Sequence, residues 1–284
     1  MNEEAGSRRL ESGLQAPEVA IRLDAVPSSG QALPWDNMAN RTFAIGDIHG
    51  DLAPLRMVLD RLPALDGKDT LVFLGDYVDR GPSSKGVIEF LMTLPTRIPA
   101  RTVFLRGNHE DGWLKVSERG WPEFIIPADN GCWDCMRSYN GRPLQGRMPD
   151  PADWAALMNA TFYPKEHLAW MRAASIWYED EHAIYVHAGL PMVDGVFVHP
   201  SKVQDPEPLL WSRSEKFFRA YHGKRVVCGH TPTDRLPVDL STHTPEDPTD
   251  MWHRDPVVAI DTQCGRGGYL TAVELPALRV YESR

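Results

Sequence analysis

Short unbroken apolar runs alternate along this chain with stretches whose apolar residues recur every three or four positions. Leu71 to Leu74 stops at Gly75, and the runs TFAI from Thr42, TVFL from Thr102, AIYV from Ala183 and RVVC from Arg225 have the same strand-like length. An apolar run bounded by glycine reads as a strand of a central sheet, because glycine lets the backbone turn without a Cβ clash. Between the first two runs Leu55, Val58, Leu59 and Leu62 fall at helical spacing, with Pro54 in the first turn. After the second, Val87, Ile88, Leu91 and Met92 predict another helix, with Ser83 or Ser84 as N-cap and an end before Pro95. The third leads into a helix-like stretch around Trp113. Strand and helix alternate, which predicts a mostly parallel sheet in this half.

Gly120 to Leu168 differs. Trp133 and Trp154, with Trp170 just beyond, stand among prolines 122, 127, 143, 149, 151 and 164. This predicts short helices inserted against the sheet, with their aromatics in the core and one side of the site walled by them. From Ile176 the segments SIWYED, AIYVHAG, RVVCGHT, VVAIDT, YLTAVEL and LRVYES predict consecutive strands of a second, mixed or antiparallel sheet. The proline-rich stretch from Pro232 to Pro256 reads as a long loop, functional or disordered. Residues 1–40, rich in Glu, Ser, Gly and Pro and without a period, read as a flexible extension, so the catalytic domain is expected over 41–284.

At 284 residues the chain can bury a sizeable core. Its 30 Lys and Arg against 39 Asp and Glu, a net charge of −9, disfavour a nucleic-acid surface. The apolar runs fall far short of the roughly 18 residues that suggest a membrane span. The charged N-terminus lacks the apolar core of a secretory signal, so a cytoplasmic protein with neither nucleic acid nor membrane as partner is expected. Cys132 and Cys135 form a CxxC with no second pair at zinc-finger spacing. On a predicted helix they share a face and read, like Cys228, as reduced, packed thiols; Cys264 follows the last strand-end loop and is expected near the site.

The chemistry lies at five strand ends: Asp47 and His49 after the first run, Asp76 and Asp79 after the second, Asn108 and His109 after the third, His187 after the fourth and His230 after the fifth. Open α/β sheets gather ligand sites at such an edge. Asp, His and Asn supply oxygen and nitrogen donors that suit Mn²⁺, Fe or Zn²⁺. Asp47, His49, Asp76, Asn108, His187 and His230 suffice for two divalent ions if one carboxylate bridges, and Asp76 on the central strand is the candidate bridge. Two ions about 3.5–4 Å apart can share a hydroxide and stabilise the attacking and leaving oxygens of an in-line displacement at phosphorus, which predicts a phosphoester hydrolase. Arg80 and Arg106 are the candidate phosphate binders, arginine's planar fork matching phosphate oxygens. Arg213, in a lone Trp-Ser-Arg, has less warrant from its surroundings. His109 could protonate the leaving oxygen, with Asp79 holding and charging its imidazole.

GDIHG, GDYVDRG, RGNHE, HAG and GHT, in that order, resemble the five signature blocks of the phosphoprotein phosphatase family of dinuclear metallophosphatases, from about Phe43 to the C-terminus. The resemblance implies the calcineurin-like metallophosphoesterase fold, an α/β sandwich of two β-sheets flanked by helices. It implies one metal on Asp47, His49 and Asp76 and the other on Asp76, Asn108, His187 and His230, with Mn²⁺ the first candidate. It also implies His109 and Asp79 as the acid pair, Arg80 and Arg106 on phosphate, and a phosphoprotein or phosphopeptide substrate, phosphoserine or phosphothreonine first and phosphotyrosine besides.

LLWSRSEKFF followed by RVVCGHTP resembles the bacterial and phage branch typified by lambda phosphatase, in which the arginine after the Trp binds phosphate; this implies the same for Arg213. IDTQCGRGG stands where the eukaryotic branch carries Ser-Ala-Pro-Asn-Tyr, so toxin sensitivity and regulatory subunits are not implied. Diadenosine tetraphosphate hydrolases share the fold and are the alternative, but they typically carry GNHD and lack a proline after their GH block. A non-catalytic binding protein is a remote alternative, since no ligand position is lost.

Overall fold

The structure is a computed structural model that describes residues 40–141, 150–243 and 247–284. The expected N-terminal extension lies outside them except for Asn40, which donates to Glu181 at 3.2 Å and accepts from His182 Nε2 at 2.7 Å.

Three strand–helix units open the fold: β1 (Thr42–Ile45) and α1 (Leu52–Arg61), β2 (Thr70–Phe73) and α2 (Ser84–Thr93), β3 (Arg101–Phe104) and α3 (Asn108–Arg119). The strands pair in parallel with β2 between the other two. Phe43, Ile45, Leu71 and Phe73 face the helices, while Ala44, Val72 and Leu74 face the interior between two sheets. Burial on both faces is why these runs are apolar without alternation.

The predicted insertion follows as α4 (Pro122–Ile125), α5 (Cys132–Asn140), α6 (Pro151–Met158) and α7 (Lys165–Ala173). Cys132 and Cys135 are free and buried on α5. Trp133 and Trp154 meet edge to face at 4.7 Å, joining α5 to α6, but Trp154 stays 42% exposed and so lies at the rim of the core, not within it as expected.

The chain continues through β4 (Trp177–Glu179), β5 (Ile184–Val186), the hairpin β6 (Met192–Val193) and β7 (Val196–Phe197), then α8 (Glu207–Trp211), α9 (Glu215–Ala220), β8 (Val226–Cys228), β9 (Trp252–Arg254) and β10 (Val257–Ala259). A second, mixed sheet forms in the order β4-β5-β8-β10-β9. Its inner face meets the first sheet through Tyr185, Val227 and Val258, and its outer face packs Ile184, Val226 and Val257 on Leu209, Phe217 and Phe218 of α8 and α9. The result is the sandwich of two sheets flanked by helices.

The last two strands depart from expectation. β11 (Thr271–Leu275) and β12 (Arg279–Glu282) join the first sheet, β11 lying antiparallel to β1. Without β11 the edge of β1 would present unpaired backbone groups inside the fold, and short turns do not say which of two sheets a strand enters. The described parts of the 232–256 segment are structured too: residues 233–235 and 238–240 form tight helical turns, and Trp252 Nε1 donates to the Pro237 carbonyl at 2.9 Å. Among the described residues no helix is long and apolar enough to cross a membrane.

Candidate active site

The loops that follow β1, β2, β3, β5 and β8 bring the predicted donors together, and they do so on unusual backbone. His49, Asp76, Asp79, Arg80 and His230 all adopt positive φ, between 46° and 72°. A residue with a Cβ holds that conformation only where its surroundings over-determine it. Glu110 supplies much of that constraint. Its Oε2 accepts the N–H groups of Asp76 and Gly107, both at 2.9 Å, and its Oε1 those of Tyr77 at 2.8 Å and Val78 at 3.4 Å.

Two glycines let these ends close up: a Cβ on Gly107 would lie 2.2 Å from Asp76 Oδ1, and one on Gly229 2.0 Å from Asp47 Oδ1. Glu110 was not singled out from the sequence, although its place in the first turn of α3, closing RGNHE, is the third position of a capping box. Glu110→Gln would turn an amide NH₂ toward two of these buried N–H groups. At about 1–3 kcal/mol for each unpaired donor, unfolding should become easier by about 3 kcal/mol. Thermal unfolding checks this, with an expected drop in Tm of roughly 6–12 °C.

Asp76 turns its two oxygens to different partners. Oδ2 lies 3.4 Å from His49 Nε2, and Oδ1 lies 3.4 Å from His187 Nε2. Two groups of donor atoms share it, His49, Asp76 and His109 in one and Asp76, His187 and His230 in the other, each within 4.8 Å. This is the placement expected of a bridging carboxylate.

Backbone carbonyls set the imidazoles. His49 Nδ1 donates to Val78 at 3.1 Å, His187 Nδ1 to Leu74 at 2.9 Å and His230 Nε2 to Trp211 at 3.3 Å, so the opposite nitrogen of each ring is turned to the cluster. Burial holds His49 and His230 well below the ordinary imidazole pKa, which favours the neutral form.

The consequence is a set of acceptors facing acceptors. Asn108 Oδ1 lies 3.0 Å from His187 Nε2 and 2.7 Å from His230 Nδ1. Asp47 accepts the His230 N–H at 3.0 Å through Oδ2, which is 4.0 Å from His49 Nε2. Burial, and then the charges of Asp261 and Asp76, push its carboxyl well above the usual range. Lone pairs and buried carboxylates at these distances repel unless positive charge lies among them. The donor set therefore fits divalent cations, and a guanidinium already approaches it: Arg80 Nη1 contacts His49 Nε2, and its Nη2 lies 3.0 Å from His109 Nε2.

His109, besides its place in the first donor group, has a partner of its own. Its Nδ1 meets Asp79 Oδ2 at 2.5 Å, and Asp79 Oδ1 accepts from Trp113 Nε1 at 2.8 Å. The Asp79 N–H donates to Ser84 Oγ at 2.9 Å, so this hydroxyl fixes the turn, while Ser83, the other expected cap, stands at the N-cap of α2. Burial pushes the Asp79 carboxyl well up and the His109 imidazole well down.

The arginines divide. Arg80 reaches the cluster, and burial lowers its pKa to about 10. Arg213 reaches it as well, donating to the His230 carbonyl at 2.9 Å. Arg106 does not join them: its Nη2 donates to the Arg172 carbonyl at 2.6 Å, and its buried Nε has no partner among the described residues. Two groups that sequence reasoning passed over take part instead. The buried Asp261 ends a sixth apolar strand, the same signal as at the other five, and faces Arg80 and Arg213. Arg266, in the glycine-rich loop behind it, adds positive charge felt by His49 and His109. Cys264 is buried in the same loop, and a Cβ on the adjoining Gly265 would lie 2.4 Å from the His49 carbonyl, so its expected nearness to the site holds.

Residues 41–258 match the family described as calcineurin-like phosphoesterase. The chain belongs to that family. Serine/threonine-protein phosphatase SIT4 of Candida albicans is 46% identical over 68 residues, 23% of this phosphoesterase and 22% of the relative. The symmetrical bis(5'-nucleosyl)-tetraphosphatase of Pseudomonas fluorescens is 30% identical over 152 residues, 53% of this chain and 43% of that one. The phosphoesterase thus spans less than half the length of these curated relatives. A solved structure of a candidate diadenosine tetraphosphatase superposes with a TM-score of 0.50 at 19% identity, over 87% of this chain and 94% of that one, a likeness of fold.

Proposed function

We infer that this phosphoesterase hydrolyses phosphomonoesters of protein side chains, phosphoserine and phosphothreonine first and phosphotyrosine besides. The observation that carries the reading is the 2.5 Å contact of His109 with Asp79 beside the donor cluster. A serine or threonine alkoxide is a strongly basic leaving group that needs a proton in the transition state, whereas a nucleoside diphosphate leaves without one. In this reading His109 Nε2 delivers the proton, and Asp79 holds the ring and stabilises its charged form.

Asp47, His49 and Asp76 would hold one divalent ion, and Asp76, Asn108, His187 and His230 the other, with Mn²⁺ our assignment. Such ions supply Lewis acidity toward phosphoryl oxygens and a nucleophile from water at neutral pH. Arg80 and Arg213 bind the phosphoryl oxygens. Arg106 would join them only by releasing the Arg172 carbonyl. LLWSR followed by GHTP supports placement in the bacterial and phage branch, and four free, buried cysteines accord with the cytoplasm.

A second reading, hydrolysis of dinucleoside tetraphosphates, is favoured by the longer match to the bacterial tetraphosphatase, 152 residues against 68. Turnover of phosphoserine and phosphothreonine peptides beside a dinucleoside tetraphosphate separates the two. The expected result is higher kcat/KM for the peptides. A clear preference for the dinucleotide, with release of two nucleoside diphosphates, replaces our reading with the second.

A further inference from the structure

Beside the donor cluster lies a pocket of about 350 Å³ lined by Arg213, Phe218, Thr231, Arg235 and Leu236. It adjoins the cluster directly, because Thr231 follows His230 in the chain and Arg213 is tied to the His230 carbonyl. Three features suit it to an anion. Arg235 is exposed and pairs with no acid among the described residues. The Thr231 hydroxyl is buried, its residue 6% exposed, and has no hydrogen-bond partner among the described residues. Arg213 lines the same pocket and brings a second guanidinium to it.

Glu215 also lines the pocket, but its carboxylate is taken by Arg219 Nε at 2.6 Å and does not pair with Arg235. Phe218, Leu236 and Pro237 make an apolar wall. An anion on a short aliphatic stem fits this combination better than a bare phosphate, since the wall covers methylene groups while guanidinium takes the oxygens.

We propose that this pocket is a specificity subsite for an acidic side chain, glutamate or aspartate, next to the phosphorylated residue of a protein substrate. The proposal rests on the phosphoprotein reading above. In an extended peptide adjacent residues advance by about 3.3 Å, so a neighbour of the residue at the cluster comes within reach of the adjoining pocket.

Matched phosphoserine peptides carrying Glu or Gln beside the phosphoserine, on either side, test it in wild type and Arg235→Gln. Wild type should prefer the Glu peptide on one side by about tenfold in kcat/KM, the scale of one hydrogen bond to a charged group at a partly open site. Arg235→Gln should bring that ratio close to one and leave p-nitrophenyl phosphate, which has nothing to place in the pocket, unchanged. Arg235→Glu should turn the preference toward a Lys peptide.

A Glu-to-Gln ratio that is the same in wild type and Arg235→Gln overturns the subsite, as does an equal loss on every substrate, which would mark a structural role. Poor turnover of both peptides by wild type rejects the phosphoprotein reading itself. If Arg235→Gln instead impairs only a dinucleoside tetraphosphate, the pocket holds a phosphate of that chain and the acidic side chain is the wrong occupant.

Discussion

Asp76→Asn is expected to lower phosphoester hydrolysis by about 10³-fold or more, the largest loss of any single donor. One electrostatic partner at a reacting phosphoryl or acyl group is typically worth about 10²–10³ in rate. Asp76 is placed to serve two ions, with its oxygens each 3.4 Å from a different imidazole. Asparagine keeps one of the two oxygens, removes the negative charge and puts an NH₂ where the other side needs an acceptor. A terminal donor such as His230 serves one group only, so its loss should cost less. Elemental analysis of the purified variant should show fewer than two ions per chain, with circular dichroism unchanged. Exhaustive chelation of the wild type should abolish hydrolysis of an aryl phosphate, and added Mn²⁺ should restore it. Full activity in a chelated protein whose metal content is nil would refute the metal-dependent reading.

His109→Ala should cost about 10²–10⁴ on a phosphoserine peptide and far less on p-nitrophenyl phosphate. The first ester releases a strongly basic alkoxide that must be protonated as it leaves. The second releases a weakly basic phenolate that departs unaided. Asp79→Asn should show the same split more mildly, because the imidazole stays but loses the carboxylate that meets Nδ1 at 2.5 Å. Arg80→Ala serves as the contrast: in the proposed reading Arg80 binds the phosphoryl group common to both esters, so its loss should slow both by a similar factor. If the His109 variant keeps its metal and slows the two substrates equally, the ring orients phosphate or nucleophile and is not the acid.

Much of this architecture is written in local pattern. Runs such as Leu71 to Leu74 are strands because only a strand buried on both faces has use for apolar residues without alternation. The polar residues that follow each run must emerge at the sheet edge, which is why Asp47, His49, Asp76, Asn108, His187 and His230 could be named in advance and do meet. Asp261 obeys the same rule and was legible at the end of VVAID.

What tertiary structure alone decided involves partners far apart in the chain. Periodicity assigned β11 and β12 as strands, but their sheet follows from β1, more than two hundred residues earlier, having an edge to be paired. The ring nitrogen that His187 offers depends on the Leu74 carbonyl, 113 residues away, and the set of Asp76 depends on Glu110, 34 residues on. The arginines show the limit most plainly. Arg80 and Arg106 look alike beside their motifs, yet Arg80 reaches the imidazoles while the Arg172 carbonyl at the end of α7 takes Arg106. A long flexible side chain goes where its surroundings leave an acceptor, and those surroundings exist only once the chain is folded.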